Sequence, residues 1–452
     1  MLLPGVISLL VLTAIGLHYV VVAERRLIIG PETFFILLGT GTFAATQNAA
    51  LQAGYLSHPY ANFIGLGLLL FTLGTAVSRA LLGFSHRQAL SRFAAKPWAD
   101  DSRGLDQQTA LAIGWFALFV TVGYFYILGF FLPGEALRAF LEGGVSAMYA
   151  VYSDLRRATY ATGVYLAPGY VYQFKNVILS LTTIVLYCRM RLRPSALSVT
   201  LFSLFLVSTI LAATGAGRRY PLAFFAGAFA VIGVARYMRP LGLGGKRAAI
   251  IVLAALVGLS GLTLMMGNRG MVKLVDDSIL WAPLNLLDRV VRAPAEERFL
   301  VYEIFLEDQD AQWGGGLSRQ LEILLPGRAE YTLANELHEI LYGSPTGNAG
   351  LDLWGSLWYD FHWYALCFLF LFGFFCNWYY VRLLRGPKRV LRVVTLSYAG
   401  LILAFSSDLT GLVNHGFLTC MLLLLLVGTM RNVGRSLGEA RMRRVEISSA
   451  ER

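Results

Sequence analysis

The chain has 452 residues, of which 56% are hydrophobic and only 14% are charged, and its mean hydropathy is +0.60. Soluble domains are about 45–50% apolar and about 25% charged, so this composition excludes a soluble enzyme, a nucleic-acid-binding protein and a disordered scaffold. The net charge of +11 therefore needs an explanation other than nucleic acid. We predict an all-α integral membrane protein embedded in a lipid bilayer.

Eleven apolar runs in the sequence have about the length, roughly 17–25 residues, that crosses a hydrocarbon core as a helix. They cover residues 3–22, 32–48, 60–78, 109–131, 171–188, 195–213, 220–235, 248–266, 361–381, 393–407 and 411–430. The sequence therefore predicts a polytopic protein with about 11 transmembrane helices.

Basic residues cluster on alternate connections between these runs. The clusters lie at residues 25–26, 79–103, 189–193, 236–247, 382–392 and from 431 onwards. Because connections rich in lysine and arginine stay on the cytoplasmic side, we assign these segments to the cytoplasm, and the basic excess is explained by topology. An odd number of spans with a cytoplasmic C-terminus places the N-terminus outside, and no basic n-region or cleavage site marks a signal peptide.

The outer connections are unequal, with long ones at residues 133–170 and 267–360. In the larger loop, Leu333, Leu337, Ile340 and Leu341 recur at helical spacing, which predicts an amphipathic helix on the outer membrane surface. Five aromatic residues that lead into the ninth span are expected at the headgroup level: Trp354, Trp358, Tyr359, Trp363 and Tyr364. We divide the chain into residues 1–266 with eight spans, the periplasmic loop 267–360, residues 361–430 with three spans, and a basic cytoplasmic tail at 431–452.

Cysteine and histidine spacing gives no sign of a disulfide framework or a metal site. The four cysteines, Cys188, Cys367, Cys376 and Cys420, lie in or at the edge of spans, so the outer loops have no disulfide available. No Cys/His set has the spacing of a zinc site. We expect no metal and no cofactor.

The most unusual charges are Arg218 and Arg219, in a tight turn between two spans at the predicted outer face. Adjacent cations at membrane level are costly unless they reach lipid headgroups or bind anions. Guanidinium groups match phosphate oxygens in a bidentate way and stay charged at any working pH. We favour phosphate binding over simple contact with headgroups.

The late outer loop carries the other candidates. Arg298 either pairs with neighbouring glutamates or binds substrate. His338 lies between Glu336 and Glu339, where neighbouring carboxylates can assist proton transfer. The alternative for His338 is an exposed helix residue without a catalytic role.

The layout and several short motifs resemble the Wzy-type O-antigen polymerases, with some similarity to the related O-antigen ligases. The motifs are Gly217-Arg218-Arg219, Arg298 with Tyr302 and Gly314-Gly315-Gly316, His338 followed by Pro345-Thr346, and Trp358-Tyr359-Asp360-Phe361. The chain departs from the ligases because Glu339, and not asparagine, follows His338. This departure favours the polymerase branch.

The resemblance implies a GT-C-like glycosyltransferase of the bacterial inner membrane. It would join undecaprenyl-pyrophosphate-linked oligosaccharide repeat units, one as donor and one as acceptor, into O-antigen or a similar polysaccharide at the periplasmic face. A chain-length co-polymerase is a candidate partner. The resemblance assigns pyrophosphate or substrate binding to Arg218, Arg219, Arg298, Tyr220 and Tyr302, and proton transfer to His338, Glu336 or Glu339.

Other functions remain open at this point. An O-antigen ligase would move finished polymer onto lipid A core. A dolichol-phosphate-type transferase usually carries acidic residues in its first outer loop, but residues 49–59 contain no Asp or Glu. A flippase or other carrier of lipid-linked oligosaccharides would distribute charges within its spans, and a purely structural partner of a polysaccharide complex is the remaining alternative.

Overall fold

The computed structural model describes residues 3–22, 24, 30–83, 85–99, 105–161, 168–215, 220–234, 299–307, 310–321, 333–343, 352–404, 412 and 415–429. Across these ranges the chain is mostly helical and forms no β-strand. The all-α prediction is confirmed.

Within these described ranges, six helices are long and apolar enough to cross a membrane. They are Pro31–Gln52, Pro59–Leu82, Gln108–Leu128, Tyr170–Leu192, Ala196–Thr214 and Leu353–Arg385, with shorter apolar helices at Ile7–Val22, Val390–Ala404 and Phe417–Thr429. Together with Tyr220–Val234, helices occupy every predicted position except 248–266, which lies outside the described residues. The structure supports a multi-pass membrane protein, and the number of eleven spans stays a prediction.

We number the helices in chain order. They are α1 Leu3–Leu17, α2 Pro31–Gln52, α3 Pro59–Leu82, α4 His86–Ala95, α5 Leu105–Leu128, α6 Leu132–Ala161, α7 Pro168–Tyr172, α8 Leu179–Leu192, α9 Ala196–Thr214, α10 Tyr220–Val234, α11 Gly315–Leu321, α12 Leu333–Tyr342, α13 Leu353–Phe361, α14 Ala365–Arg385, α15 Val390–Ala404 and α16 Phe417–Thr429. Short π-helical segments lie at His18–Val22, Gln173–Ile178 and Tyr302–Leu306.

Local sequence explains where the spanning helices begin and end. Both α2 and α3 begin with a proline, Pro31 and Pro59, whose fixed φ angle and missing N–H suit the first helical position. Helix α3 ends at Leu82, and Gly83 follows it in the left-handed conformation, at φ +54°, as is common for glycine after a helix. These signals turn the chain sharply between spans.

Helices α3 and α14 cross at closer range than any side chain would allow. A Cβ atom on Gly74 would collide with the carbonyl oxygen of Phe370, and one on Gly373 would collide with that of Phe71. Small residues allow such close backbone contact between membrane helices, where packing rather than hydrophobicity drives association. This crossing fixes the start of α3 relative to α13, which continues into α14.

The aromatic residues before the ninth span do not share one environment. Trp354, Trp358 and Tyr359 are buried in α13 among the other helices, whereas Trp363 and Tyr364 are exposed. Burial inside the protein does not fix the depth of a ring in the bilayer, so their position at the headgroup level stays a prediction. Their rings find enough apolar surface within the protein because α13 packs between α3 and the Tyr302–Leu306 segment.

Basic side chains bind helix ends on the side that the sequence assigns to the cytoplasm. The buried Lys388 donates to the carbonyl oxygens of Ala94 and Lys96 at the end of α4, both at 3.3 Å. Arg392 donates to the carbonyl oxygen of Arg382 in the last turn of α14 at 2.6 Å. The last carbonyls of a helix lack partners within it and carry partial negative charge. These cations therefore stabilise the helix ends: Lys388 connects α4 to the segment that follows α14, and Arg392 connects α15 to α14.

We predict that Gly373→Ala destabilises the protein, because the added methyl group would collide with backbone that cannot rotate away. Overpacking of this kind costs about 1–3 kcal/mol. The measurement is the thermal unfolding midpoint of the detergent-solubilised protein. Gly123→Ala in α5 is the matched control, since no atom lies within 4 Å of the new Cβ there; equal midpoints for the two variants would contradict the close crossing.

Candidate functional site

The described part of the chain contains some of the predicted site residues. Arg218, Arg219 and Arg298 lie outside the described residues, so their roles stay predictions. Tyr220 is the first residue of α10, directly after the turn that carries the arginine pair. The remaining candidates lie in segments between residues 299 and 343, which the structure brings together.

The amphipathic helix predicted around His338 is present as α12. Leu337 is buried in the hydrophobic core, Glu336 and His338 are half-buried, and Glu339 is exposed. Helix α12 contacts α11, which begins within the motif Gly314-Gly315-Gly316, called the glycine motif below. The three candidate bases therefore lie on a helix that is fixed beside that motif.

Asp360 joins the glycine motif to the motif that follows α12. Its buried carboxylate accepts hydrogen bonds from the amide nitrogens of Gly316 at 2.7 Å and Leu317 at 3.0 Å. The amide of Trp313 also donates to the Asp360 carbonyl oxygen at 2.7 Å. A carboxylate is a suitable acceptor for the free N–H groups of a first helical turn. Asp360 therefore holds together two motifs that lie 44 residues apart in the sequence.

Gly316 also permits a close approach that no other residue would allow. A Cβ atom there would lie 2.7 Å from the Tyr359 ring and 2.9 Å from the Asp360 carboxylate. The Tyr359 ring, which lies against Gly316, also stacks on the ring of Phe305, with 5.8 Å between the ring centroids. The segment after Arg298 is thereby joined to the same group of residues. We call the contacting segments, residues 299–306, 312–317 and 352–361, the motif cluster.

Tyr302 lies inside this cluster and not at its surface. Only 3% of Tyr302 is exposed, and its ring stacks on Tyr60 at 5.2 Å and contacts Trp358 at 5.5 Å between centroids. Burial raises the pKa of Tyr302 to about 12, so the phenol stays protonated at physiological pH. In this arrangement Tyr302 packs the site, and its proposed contact with substrate finds no exposed surface.

A polar triad of Tyr55, His58 and Glu303 is the feature that the sequence did not reveal. The Nε2 atom of His58 lies 2.8 Å from Oε1 of Glu303, and the hydroxyl of Tyr55 donates to Oε2 of the same carboxylate at 2.9 Å. The carboxylate raises the pKa of Tyr55 by accepting this bond. The triad joins the connection between α2 and α3 to the segment that follows Arg298.

The surroundings of the triad differ on its two sides. The ring of His58 is buried, with centroids 4.8 Å from both Phe299 and Tyr302. By contrast, the Glu303 side chain is 22% exposed and Tyr55 is 40% exposed. The carboxylate thus lies at the edge between a packed aromatic cluster and open space, where it can meet a ligand.

A second polar group that the hydropathy pattern hides is Lys175, in the π-helical segment between α7 and α8. Its buried ammonium donates to the carbonyl oxygen of Ala212 at 2.8 Å and to Oδ1 of Asn176 at 3.0 Å. Tyr398 in turn donates to the Asn176 carbonyl oxygen. Charges buried within spans are costly and mark functional or structural centres; this one binds the end of α9, just before the turn with Arg218.

The chemistry available at the cluster comes from carboxylate, imidazole and phenol groups. In the part of the chain that the structure describes, no three His, Cys, Asp or Glu side chains form a group able to hold a metal ion. Glu303 can accept a proton or hydrogen bonds, and the aromatic rings around it can pack against the apolar faces of a ligand.

We predict that Asp360→Ala loosens the glycine motif while leaving the spans in place. Hydrogen bonds to a charged group contribute about 1.5–3 kcal/mol, so the Gly316 and Leu317 amides should exchange with deuterium about tenfold faster or more. Hydrogen exchange followed by mass spectrometry on peptides covering 312–321 measures this. The control is Asp310→Ala, an exposed neighbour; similar exchange in both variants would argue against the Asp360 anchor.

Comparison of the chain with protein-family models, with curated proteins and with solved structures found no match. Support for a function therefore comes from the residues themselves, in the short motifs of the polymerase resemblance and the contacts among them.

Proposed function

We propose that this protein is a Wzy-type polymerase of the bacterial inner membrane, a GT-C-like glycosyltransferase with a periplasmic N-terminus and a cytoplasmic C-terminus. It would join undecaprenyl-pyrophosphate-linked oligosaccharide repeat units into a surface polysaccharide. The observation that carries the proposal is the packing of three motif segments, residues 299–306, 312–317 and 352–361, into one cluster beside α12.

The position of this cluster suits a membrane-bound substrate. It lies at the start of α3 and just before α14, where the chain enters two apolar helices. A lipid-linked glycan would keep its lipid in the bilayer and its sugars at this level. The exposed rings of Trp363 and Tyr364 are typical of the boundary between apolar core and headgroups.

The reaction explains why arginines and a base are both needed. Transfer breaks the bond between the donor sugar and pyrophosphate, so negative charge develops on the leaving group. Arg218, Arg219 and Arg298 would stabilise that charge as preorganised donors. The acceptor hydroxyl loses a proton, for which His338, Glu336 and Glu339 on α12 are candidates.

A ligase is the alternative within the same chemistry, and a carrier is the alternative outside it. The residue after His338 is Glu339, which favours the polymerase over the ligase. A carrier would need ionisable groups along a path through the spans. Much of the polar chemistry described above, including Glu303, His58 and Asp360, instead gathers near the start of α3.

Deletion of the gene in its own host distinguishes these functions. Surface glycan and lipid-linked glycan are resolved on gels after deletion and after complementation. Loss of the ladder with a single repeat unit still reaching the surface supports the polymerase. Long polymer on the lipid carrier indicates a ligase, trapped cytoplasmic repeat units indicate a flippase, and an unchanged profile contradicts the proposal.

We predict that Arg218→Ala, Arg219→Ala and Arg298→Ala each slow chain growth, by about 10²–10³ for an arginine that acts as one preorganised donor. His338→Ala should slow it by about 10²–10⁴ if His338 is the base. The rate is measured in membrane vesicles at matched protein levels. Arg138→Ala is the control, because Arg138 lies exposed on α6 and pairs with Glu142; normal rates in all four site variants would refute the site assignment.

A further inference from the structure

Glu303 combines accessibility with a fixed orientation. Each of its two carboxylate oxygens accepts one short hydrogen bond, Oε1 from His58 Nε2 at 2.8 Å and Oε2 from the Tyr55 hydroxyl at 2.9 Å. Each carboxylate oxygen offers about two acceptor positions, so one position on each oxygen remains for another donor. With 22% of the side chain exposed, that donor can come from outside the protein.

The backbone around Glu303 supports this orientation. Glu303 lies in the π-helical segment Tyr302–Leu306, and π-helical turns occur mostly as single insertions, frequently at functional sites. Tyr302 and Leu306, on either side, are buried in the core. The carboxylate is thus attached to a rigid segment while it remains partly exposed itself.

We propose that Glu303 is the group that binds the acceptor sugar hydroxyl and takes its proton, and that His58 and Tyr55 are its positioning residues. This inference rests on the proposed glycan polymerase function, and it assigns the base to Glu303 in place of the three candidates on α12. The ligand is a hydroxyl group of a membrane-bound oligosaccharide. The exposed ring of Tyr55 beside the carboxylate provides an apolar face for the same sugar.

The step balances without a further reactant. The acceptor oxygen forms a bond to the anomeric carbon of the donor sugar, and the bond from that carbon to the pyrophosphate oxygen breaks. The bonding pair leaves with the pyrophosphate, the hydroxyl proton passes to the Glu303 carboxylate, and water then removes it. His58 and Tyr55 keep the carboxylate aimed during this transfer.

The test uses the full-length protein in lipid nanodiscs with a synthetic undecaprenyl-pyrophosphate-linked repeat unit as both donor and acceptor. Glu303→Gln keeps the shape of the side chain and removes the base, so kcat should fall about 10²–10⁴-fold. Glu303→Asp keeps the carboxylate and should recover part of the rate. Glu307→Gln is the matched control, since Glu307 is exposed one turn further on, and it should react within about twofold of the parent protein.

Tyr55→Phe gives a second readout that does not depend on how well the Glu303 variants fold. Loss of the hydroxyl removes a donor that stabilises the charged carboxylate. The acid limb of the kcat/KM pH profile should therefore move to higher pH, whereas a merely structural tyrosine would lower the rate without moving that limb. His58→Asn, which removes the other donor, should move it in the same direction.

The outcomes separate this inference from the proposed function. If the parent protein extends no glycan, the proposed function fails. If the parent protein extends glycan, then a Glu303→Gln rate equal to that of Glu307→Gln, or an unmoved acid limb in Tyr55→Phe, overturns the role of Glu303 and leaves the polymerase function intact.

Discussion

The contact between the backbones of α3 and α14 is the constraint on which the other features depend. Because Gly74 and Gly373 have no side chain, the two helices meet at their main chains, and the start of α3 is held against α13. Tyr60 at the start of α3 then reaches Asp352 and Tyr302. The polar triad and the motif cluster both exist because this crossing brings distant parts of the chain to one level.

The helices of the bundle were largely predictable from sequence, because the cost of leaving backbone groups unpaired in lipid forces any long apolar run into a helix. A hydropathy value averaged over a whole span did not reveal Lys175, because one charge barely changes that average. The sequence also did not show that Trp354 and Trp358 are buried within the protein, because the same rings suit a membrane interface and a protein core equally well. Which of the two applies depends on tertiary contacts that a local pattern does not contain.

The candidate site was predictable only in part, for a related reason. Motif spacing identified the segments around Tyr302, Gly316 and Asp360, and the structure joins them. The pairing of His58 with Glu303 spans 245 residues, and no local pattern specifies which side chains will meet over that distance. A histidine just before a proline in a short connection between spans was the one available signal, and it has many ordinary explanations.

The buried Lys388 and its neighbour Arg392 have two roles, one while the chain is inserted into the membrane and one in the folded protein. As positive charges beside a span, they count toward the orientation in which the chain is inserted; in the folded protein they bind the ends of α4 and α14. A charge-reversing substitution would therefore weaken the basic bias of this connection and also remove the hydrogen bonds at a helix end. Membrane insertion and folding therefore constrain the same two positions.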